Sequence, residues 1–227
     1  MPTLLIVNAD DLGYDPSIDQ GILEAHAHGI VMAASAMVDT PFADSAVAEA
    51  PATLDLGLHV VVPAGCGEAQ LRREIARQIA RFRALRGAGP THLDSHRHAH
   101  AAPAALRVFA EASREEGIPL RALDAAMRET LRLQGVATAD AFLGDAALRP
   151  CWTRERLVAA LEALPDGIVE LMCHPGHVPT HVRTSFAGER EVELAAVCDP
   201  AARAALTKSG ASLRQFAGVF PGQIKSP

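Results

Sequence analysis

The chain has 227 residues, enough for one substantial domain with a large core. Hydrophobic residues make up 49% and charged residues 21%, the balance of an ordinary globular protein. With 21 basic against 27 acidic residues the formal charge is −6, and no basic block or aromatic–basic stripe is present, which argues against a phosphate-backbone binder.

The N-terminal "MPTLLIVNADD" has no basic region and only a short apolar run, so it does not read as a signal peptide. No stretch approaches the roughly 18 apolar residues a membrane span needs. Four cysteines, Cys66, Cys151, Cys173 and Cys198, lie far apart without a CxxC pair. They read as free thiols, and a cytoplasmic protein is expected.

In chain order, "TLLIVNA" predicts a buried strand. "PSIDQGILEAHAHG" predicts a helix, with Ile18, Ile22, Leu23 and Ala27 at helical spacing and Gly29 at its end. "AASAMV" predicts a second strand, "FADSAVAEA" a short helix and "LDLGLHVVV" a third strand. "EAQLRREIARQIARFRALRG" predicts a strong amphipathic helix closed by Gly87. "THLDSHRHAH" predicts a fourth strand, "PAALRVFAEASREEG" a helix closed by Gly117, and "IPLRAL" a strand. "RERLVAALEALPDG" predicts a helix, "IVELMCH" a strand, residues 200–209 a helix and "SLRQF" a last strand. No linker divides residues 1–227, so a single domain is expected. The βα alternation implies a parallel sheet of about seven strands, either closed into a barrel or open and doubly wound. No GxGxxG or GxxxxGK[ST] accompanies it, so dinucleotide and P-loop sites are unsupported.

In such folds chemistry gathers at the carboxyl ends of the strands. The residues there are Asp10 and Asp11, then His59, Asp94 through His100, Arg121 and His174. Each alone has a plain explanation. An Asp pair suits a helix N-cap, a lone His suits a core, and a His before Pro suits a loop. Together they supply parts that catalysis needs. Adjacent Asp10 and Asp11 in an extended chain would point to opposite sides, one to a cation and one to a substrate. The even spacing of His92, Asp94, His96, His98 and His100 would put all five on one side of a strand, which a bound metal would justify. Cys173 reads as packing rather than as a nucleophile. His26 and His28 read as helix surface; His177 and His181 have no assigned role. Two His and one Asp with open positions is a hydrolase or oxygenase pattern, with a second Asp to take a proton from water and a separate acid for the leaving group.

The segments "LLIVNADDLG", "GIVMAASAMV", "LGLH", "PTHLDSHRHAH", "LMCHPG" and "RxxEL" (Arg190 to Leu194) occur in that order. Together they resemble the YdjC-like (ChbG/HpnK) carbohydrate deacetylases, from about residue 3 to residue 217. The resemblance implies a distorted (β/α) barrel similar to the polysaccharide deacetylases. It implies removal of acetyl groups from N-acetylated amino sugars, either oligosaccharides or carrier-linked glycosides. It places one divalent metal ion on Asp11, His59 and His96, with Asp10 as general base. His174 becomes the general acid or the group that stabilises the tetrahedral intermediate. Arg121 would orient Asp10, and Asp94 would stand behind the ligands. Magnesium is associated with the family, whereas two imidazoles suit zinc, so both metals remain open. Related proteins form dimers, which makes a homodimer an expectation. Between His59 and "PTHLDSH" this chain has only "VVVPAGCGEAQ" and one helix, where chitobiose-active members carry a longer insertion. That shortening points to a more open cleft or a different acyl sugar. Two competing readings are a metal-dependent phosphoesterase, which would want more bridging carboxylates, and a non-catalytic sugar- or metal-binding protein.

Overall fold

The apolar run near the N-terminus becomes β1 (Leu4–Leu12), buried from its second residue onward. A strand buried on both faces needs neighbours on both edges and side chains packed over both faces. The computed structural model, which describes residues 3–144 and 151–220, supplies both. After β1 come α1 (Pro16–His28), β2 (Ala33–Ala36), α2 (Ala43–Glu49), β3 (Asp55–Val60), α3 (Glu68–Arg86) and β4 (Leu93–Ser95). A 3₁₀ turn (His96–Ala101) leads to α4 (Pro103–Glu116), α5 (Ala125–Leu133) and β5 (Ala141–Leu143). Then follow α6 (Arg154–Glu162), β6 (Ile168–Cys173), α7 (Gly188–Cys198), α8 (Pro200–Ser209), β7 (Ser212–Leu213) and α9 (Phe216–Val219).

The strands are parallel, in the order β4-β3-β2-β1-β6-β5, with β7 beside the first residues of β1. Among the described residues no pairing joins β4 to β5, so the sheet is a half-barrel rather than a closed one. β2 is "AASA", buried throughout, and its small side chains suit a site where helices press close. Phe82 of α3 and Phe109 of α4 are fully buried, and burial of such side chains stabilises by about 2–3 kcal/mol each. Gly87 and Gly117 end α3 and α4 at φ 74 and 71, the left-handed cap that glycine adopts without strain.

Two predicted strands come out differently. "IPLRAL" makes only an isolated bridge between Leu93 and Leu120. Pro119 has no N–H to offer a ladder, and the Leu120 N–H goes to the Ala137 carbonyl instead. "THLDSHRHAH" is a strand only over Leu93–Ser95, because Arg97 and His98 take left-handed φ of 55 and 51 and turn the chain. The five-residue alternation is therefore broken. His92 stacks on Phe216 at 3.8 Å between ring centroids, and His100 Nδ1 pairs with Ser95 Oγ at 2.6 Å. α5, β5, α7 and α9 have no counterpart among the predicted elements, and the predicted strand "SLRQF" is one only over Ser212–Leu213, its Phe216 starting α9. His26, expected on the surface, is half-buried, with its ring nitrogens on the Val31 carbonyl and Thr53 Oγ1.

Candidate active site

The carboxyl end of β1 is bulged. Ala9 pairs with Ala34 and Leu12 with Ala36, so two residues of β1 oppose one of β2. Asp11 carries the distortion with φ 76, a region Asp tolerates better than most side chains. The bulge cancels the expected alternation. Asp10 and Asp11 do not face opposite sides of the strand; both line one cavity of about 120 Å³. His59, His96, His98, His174 and Arg190 line it too.

Asp11 Oδ1 lies 3.3 Å from His59 Nε2 and 3.3 Å from His96 Nδ1. The three donor atoms sit within 4.8 Å of one another. One carboxylate and two imidazoles converging from three strand ends is a donor set that zinc and similar divalent ions take. His59 Nδ1 faces Asp94 Oδ1 at 2.7 Å, which turns Nε2 toward Asp11. A carboxylate behind a ligating imidazole fixes its tautomer and raises its basicity. These residues fit a divalent cation.

Asp10 is held differently. Its Oδ1 accepts from Asn8 Nδ2 at 2.8 Å and Arg121 Nη2 at 2.7 Å; its Oδ2 accepts from Arg121 Nη1 at 2.6 Å. Arg121 Nε binds Glu170 Oε1 at 2.6 Å, and Nη2 forms an oblique ion pair with Asp94 Oδ2 at 2.8 Å. Burial alone would raise the Asp10 carboxyl, but Arg121 overrides it and the net direction is down. Burial raises Glu170 to about 7 against the pull of the same arginine. Asp10, His59 and Asp94 also cluster closely enough to hold an ion. Arg121 already pairs with two members of that cluster, Asp10 and Asp94, and brings positive charge there.

The charges balance in an informative way. Four buried carboxylates, Asp10, Asp11, Asp94 and Glu170, face two buried guanidiniums, Arg121 and Arg190. Protons can meet the shortfall. Burial opposes charge on His59, yet Asp94, Asp10 and Asp11 raise it to about 10. A single divalent cation meets the same shortfall without them.

His174 follows β6 and enters the cavity beside Phe186, with ring centroids 5.4 Å apart. Burial pulls it down to about 4, which keeps the ring neutral at pH 7. The chain after it rests on α1 at Gly21, where an added Cβ would meet the Gly176 backbone at 2.4 Å. The His174 N–H donates to Glu193 Oε2 at 2.6 Å, and Glu193 Oε1 also accepts from the Trp152 N–H at 3.1 Å. Cys173 beside it is buried; its thiol is pushed up by burial and points to the Asn8 carbonyl, as a packing residue does.

Of the predicted residues, Asp10, Asp11, His59, His96 and His174 line one cavity, with Arg121 and Asp94 packed behind it. His177 sits apart, 3.3 Å from Glu24, and His181 lies over the α1 N-cap, 3.6 Å from Asp15. Four contributors were not assigned a role from sequence: Glu170, Arg190, Glu193 and Tyr14. Arg190 Nη2 donates to Asp11 Oδ2 at 2.6 Å, so the metal-facing carboxylate is gripped on its other oxygen. Burial raises the Asp11 carboxyl, but Arg190 and the two histidines carry it well below its usual range. The spacing of Arg190 and Glu193 at i and i+3 was a usable signal, because it puts both on one helix face.

A family model for YdjC-like protein matches residues 4–69 and 62–208. A carbohydrate deacetylase of Geobacillus stearothermophilus is 32% identical, covering 94% of this chain and 96% of its own length. A chitooligosaccharide deacetylase of Serratia marcescens is 33% identical, covering 95% and 99%. An Enterococcus faecalis V583 protein, provisionally described as a cellobiose-phosphate cleavage protein, superposes with TM-score 0.85 at 25% identity, over 95% of this chain and 98% of that one. A family 4 acetyl xylan esterase of Clostridium thermocellum, solved with a cobalt ion, shares the fold at TM-score 0.58 and 14% identity, over 96% and 90%. With the motifs, the half-barrel and the clustered strand-end residues in agreement, the chain belongs to the YdjC-like family.

Proposed function

We infer that the protein is a metal-dependent carbohydrate deacetylase that hydrolyses the acetamide of an N-acetylated amino sugar. One observation carries this reading: Asp11 Oδ1 converges with His59 Nε2 and His96 Nδ1 on the wall of the cavity that an arginine-held Asp10 also lines. The deacetylase names of the relatives support the substrate class.

Asp11, His59 and His96 would hold the ion. Bound there, a divalent cation supplies Lewis acidity, polarising a carbonyl and acidifying a water molecule. Asp10 is the general base. Arg121 and Asn8 occupy most of its acceptor sites and fix its orientation, leaving Oδ2 with capacity for one water proton. His174, neutral in its buried setting, donates its ring N–H to charge developing on the acyl group, the stabilising rather than the acidic role. Asp94 orients His59. The cavity adjoins a wider cleft of about 460 Å³ lined by Tyr14, Met37, Val61, Val62 and Arg97, with room for the rest of a glycoside. That suits an oligosaccharide or carrier-linked substrate.

Acetate release from N-acetylglucosamine and N,N′-diacetylchitobiose, with zinc or magnesium restored after chelation, tests the reading. Asp11→Ala should lose both bound metal and turnover. Asp10→Asn should keep the metal and lose turnover by roughly 10²–10⁴-fold. Wild-type rates in Asp10→Asn would remove the base assignment, and no acetate release under any metal would remove the deacetylase.

A further inference from the structure

The chain leaves β6 with few backbone partners. The ladder with β1 ends at the Ala9–Cys173 pair, so the His174 N–H has no strand to join. Pro175 has no N–H at all. α7 takes up what the sheet drops. Glu193 Oε2 accepts the His174 N–H at 2.6 Å, and the Arg190 carbonyl accepts the Gly176 N–H at 3.3 Å. The His177 N–H then reaches the Ser17 carbonyl on α1 at 3.1 Å.

Glu193 holds more than one amide. Its Oε1 accepts the Trp152 N–H at 3.1 Å, and the Trp152 indole Nε1 donates to the Met172 carbonyl at 2.8 Å. The result is a closed brace around the end of β6. It runs from the Met172 carbonyl to the indole, from the Trp152 peptide to the carboxylate, and from the carboxylate to the His174 peptide. Glu193 is 3% exposed, and among the described residues no cation forms an ion pair with it. A buried carboxylate without a paired cation is costly, and an apolar side chain would pack the same helix more cheaply. What Glu193 supplies in return is two charge-assisted hydrogen bonds to main-chain N–H groups.

We propose that Glu193 is a positioning residue for His174, and that its brace on the His174 and Trp152 peptides fixes where the imidazole stands in the metal cavity. The proposal rests on the deacetylase reading for the work that His174 does. Glu193 does not line the cavity, whereas His174 does, so its effect on rate passes through His174. Placement of a donor at a reacting group matters steeply, because a shift of about 1 Å can cost about 100-fold in rate. Arg190, three residues earlier on the same helix face, holds Asp11. α7 therefore sets the metal-facing carboxylate and the acyl-side histidine in register with each other.

The test is a double-mutant cycle. Zinc-loaded wild type, Glu193→Gln, His174→Ala and the double variant are compared on N,N′-diacetylchitobiose, with zinc affinity measured by chelator competition. Burial raises the Glu193 carboxyl to about 7 against the pull of both N–H groups, so the assays run at pH 8.5, where it is ionised. Glutamine keeps the size of the side chain but turns an NH₂ toward one of the two N–H groups. We expect Glu193→Gln to lower kcat about 10- to 100-fold, with KM and zinc affinity unchanged, and to lower it by at most about twofold once His174 is alanine. Equal losses in both backgrounds, or zinc affinity that falls with the rate, would make Glu193 a prop of the fold and overturn the proposal. A second readout needs no change at Glu193 and stands even if that variant does not fold. Protein labelled with ¹⁵N-histidine has ten backbone amide signals, and His174→Ala removes one and so identifies it. The His174 amide should lie far downfield and exchange slowly with solvent, as an N–H held 2.6 Å from a carboxylate does. An ordinary shift with rapid exchange overturns the proposal. Wild type that releases no acetate from any N-acetyl sugar discards the deacetylase and with it the role of His174; losses that add in an active enzyme discard this proposal alone.

Discussion

Two arginines serve two adjacent carboxylates, and they are used differently. Arg121 spends every nitrogen on protein: Asp10 takes two, Asp94 shares one, and Glu170 takes Nε. Arg190 spends two, on Asp11 and a backbone carbonyl, and leaves Nη1 without a hydrogen-bond partner. The first is a strut that ties together residues of three strands, β1, β4 and β6. The second is a grip on one carboxylate, carried on a helix that follows the last long strand. The lesson is that an arginine beside an acid does not by itself reveal its duty; the inventory of its nitrogens does.

Removing each arginine should break that comparison with the largest effect. Arg121→Met leaves Asp10, Asp94 and Glu170 buried without their guanidinium, with His59 left to offset part of the charge on Asp10 and Asp94. Breaking a buried ion network from one side costs about 3–5 kcal/mol. Arg190→Met deprives one carboxylate and one carbonyl, on the order of 2 kcal/mol. Urea unfolding of metal-free protein at pH 7.5 measures both. Equal losses, or a larger loss at Arg190, would mean that the strut and the grip have been assigned the wrong way round.

Much of this site was legible because its parts follow short β-strand runs. A polar residue that ends an apolar run has few places to go, and Asp10, Asp11, His59, Asp94 and His174 all obey that rule. The spacing argument over "HLDSHRHAH" failed for a physical reason. Periodicity predicts a face only while backbone angles stay regular, and Arg97 and His98 leave the extended region. The same is true of Asp11, whose left-handed φ brings both acids to one cavity. α5 went unread although Asp124 caps it and Met127 and Leu131 are buried one turn apart, because its nine residues are a short run; β5 has only three residues. Glu170 was hidden inside a strand, where its charge is justified only by Arg121 across the sheet. The open edge of the half-barrel was not legible either, since closure depends on pairing between elements distant in the chain.

An intermediate effect is expected behind the metal site. Asp94 meets His59 at 2.7 Å and Arg121 at 2.8 Å, so it serves the strut and the ligand set at once. Asp94→Asn should keep the fold, because the amide oxygen can still accept from one of the two. Loss of the carboxylate behind His59 should weaken zinc binding about 10–100-fold. Chelator competition measures it. Unchanged affinity would confine Asp94 to the strut and leave His59 oriented by packing alone.

The smallest effect sharpens the comparison by looking at an acid with no arginine. Asp19 on α1 is buried and accepts the Gly13 N–H at 2.5 Å, and among the described residues no guanidinium pairs with it. Burial raises it to about 7, with Asp15, Glu49 and Asp11 adding repulsion, whereas arginine-held Asp10 and Asp11 move down. The sign of its effect on stability follows. Below about pH 4 both folded and unfolded states hold the proton. Between about 4 and 7 the unfolded chain releases it while the folded chain keeps it, so stability falls as pH rises, by at most about 1.4 kcal/mol per unit. Above 7 both states are ionised and the loss levels off. Asp19→Asn keeps an oxygen for Gly13 and cannot titrate, so the stability difference between wild type and variant should decline across that window and then flatten. A difference independent of pH would show that Asp19 is ionised like its neighbours, and that something other than a guanidinium can hold a buried carboxylate charged at this end of the sheet.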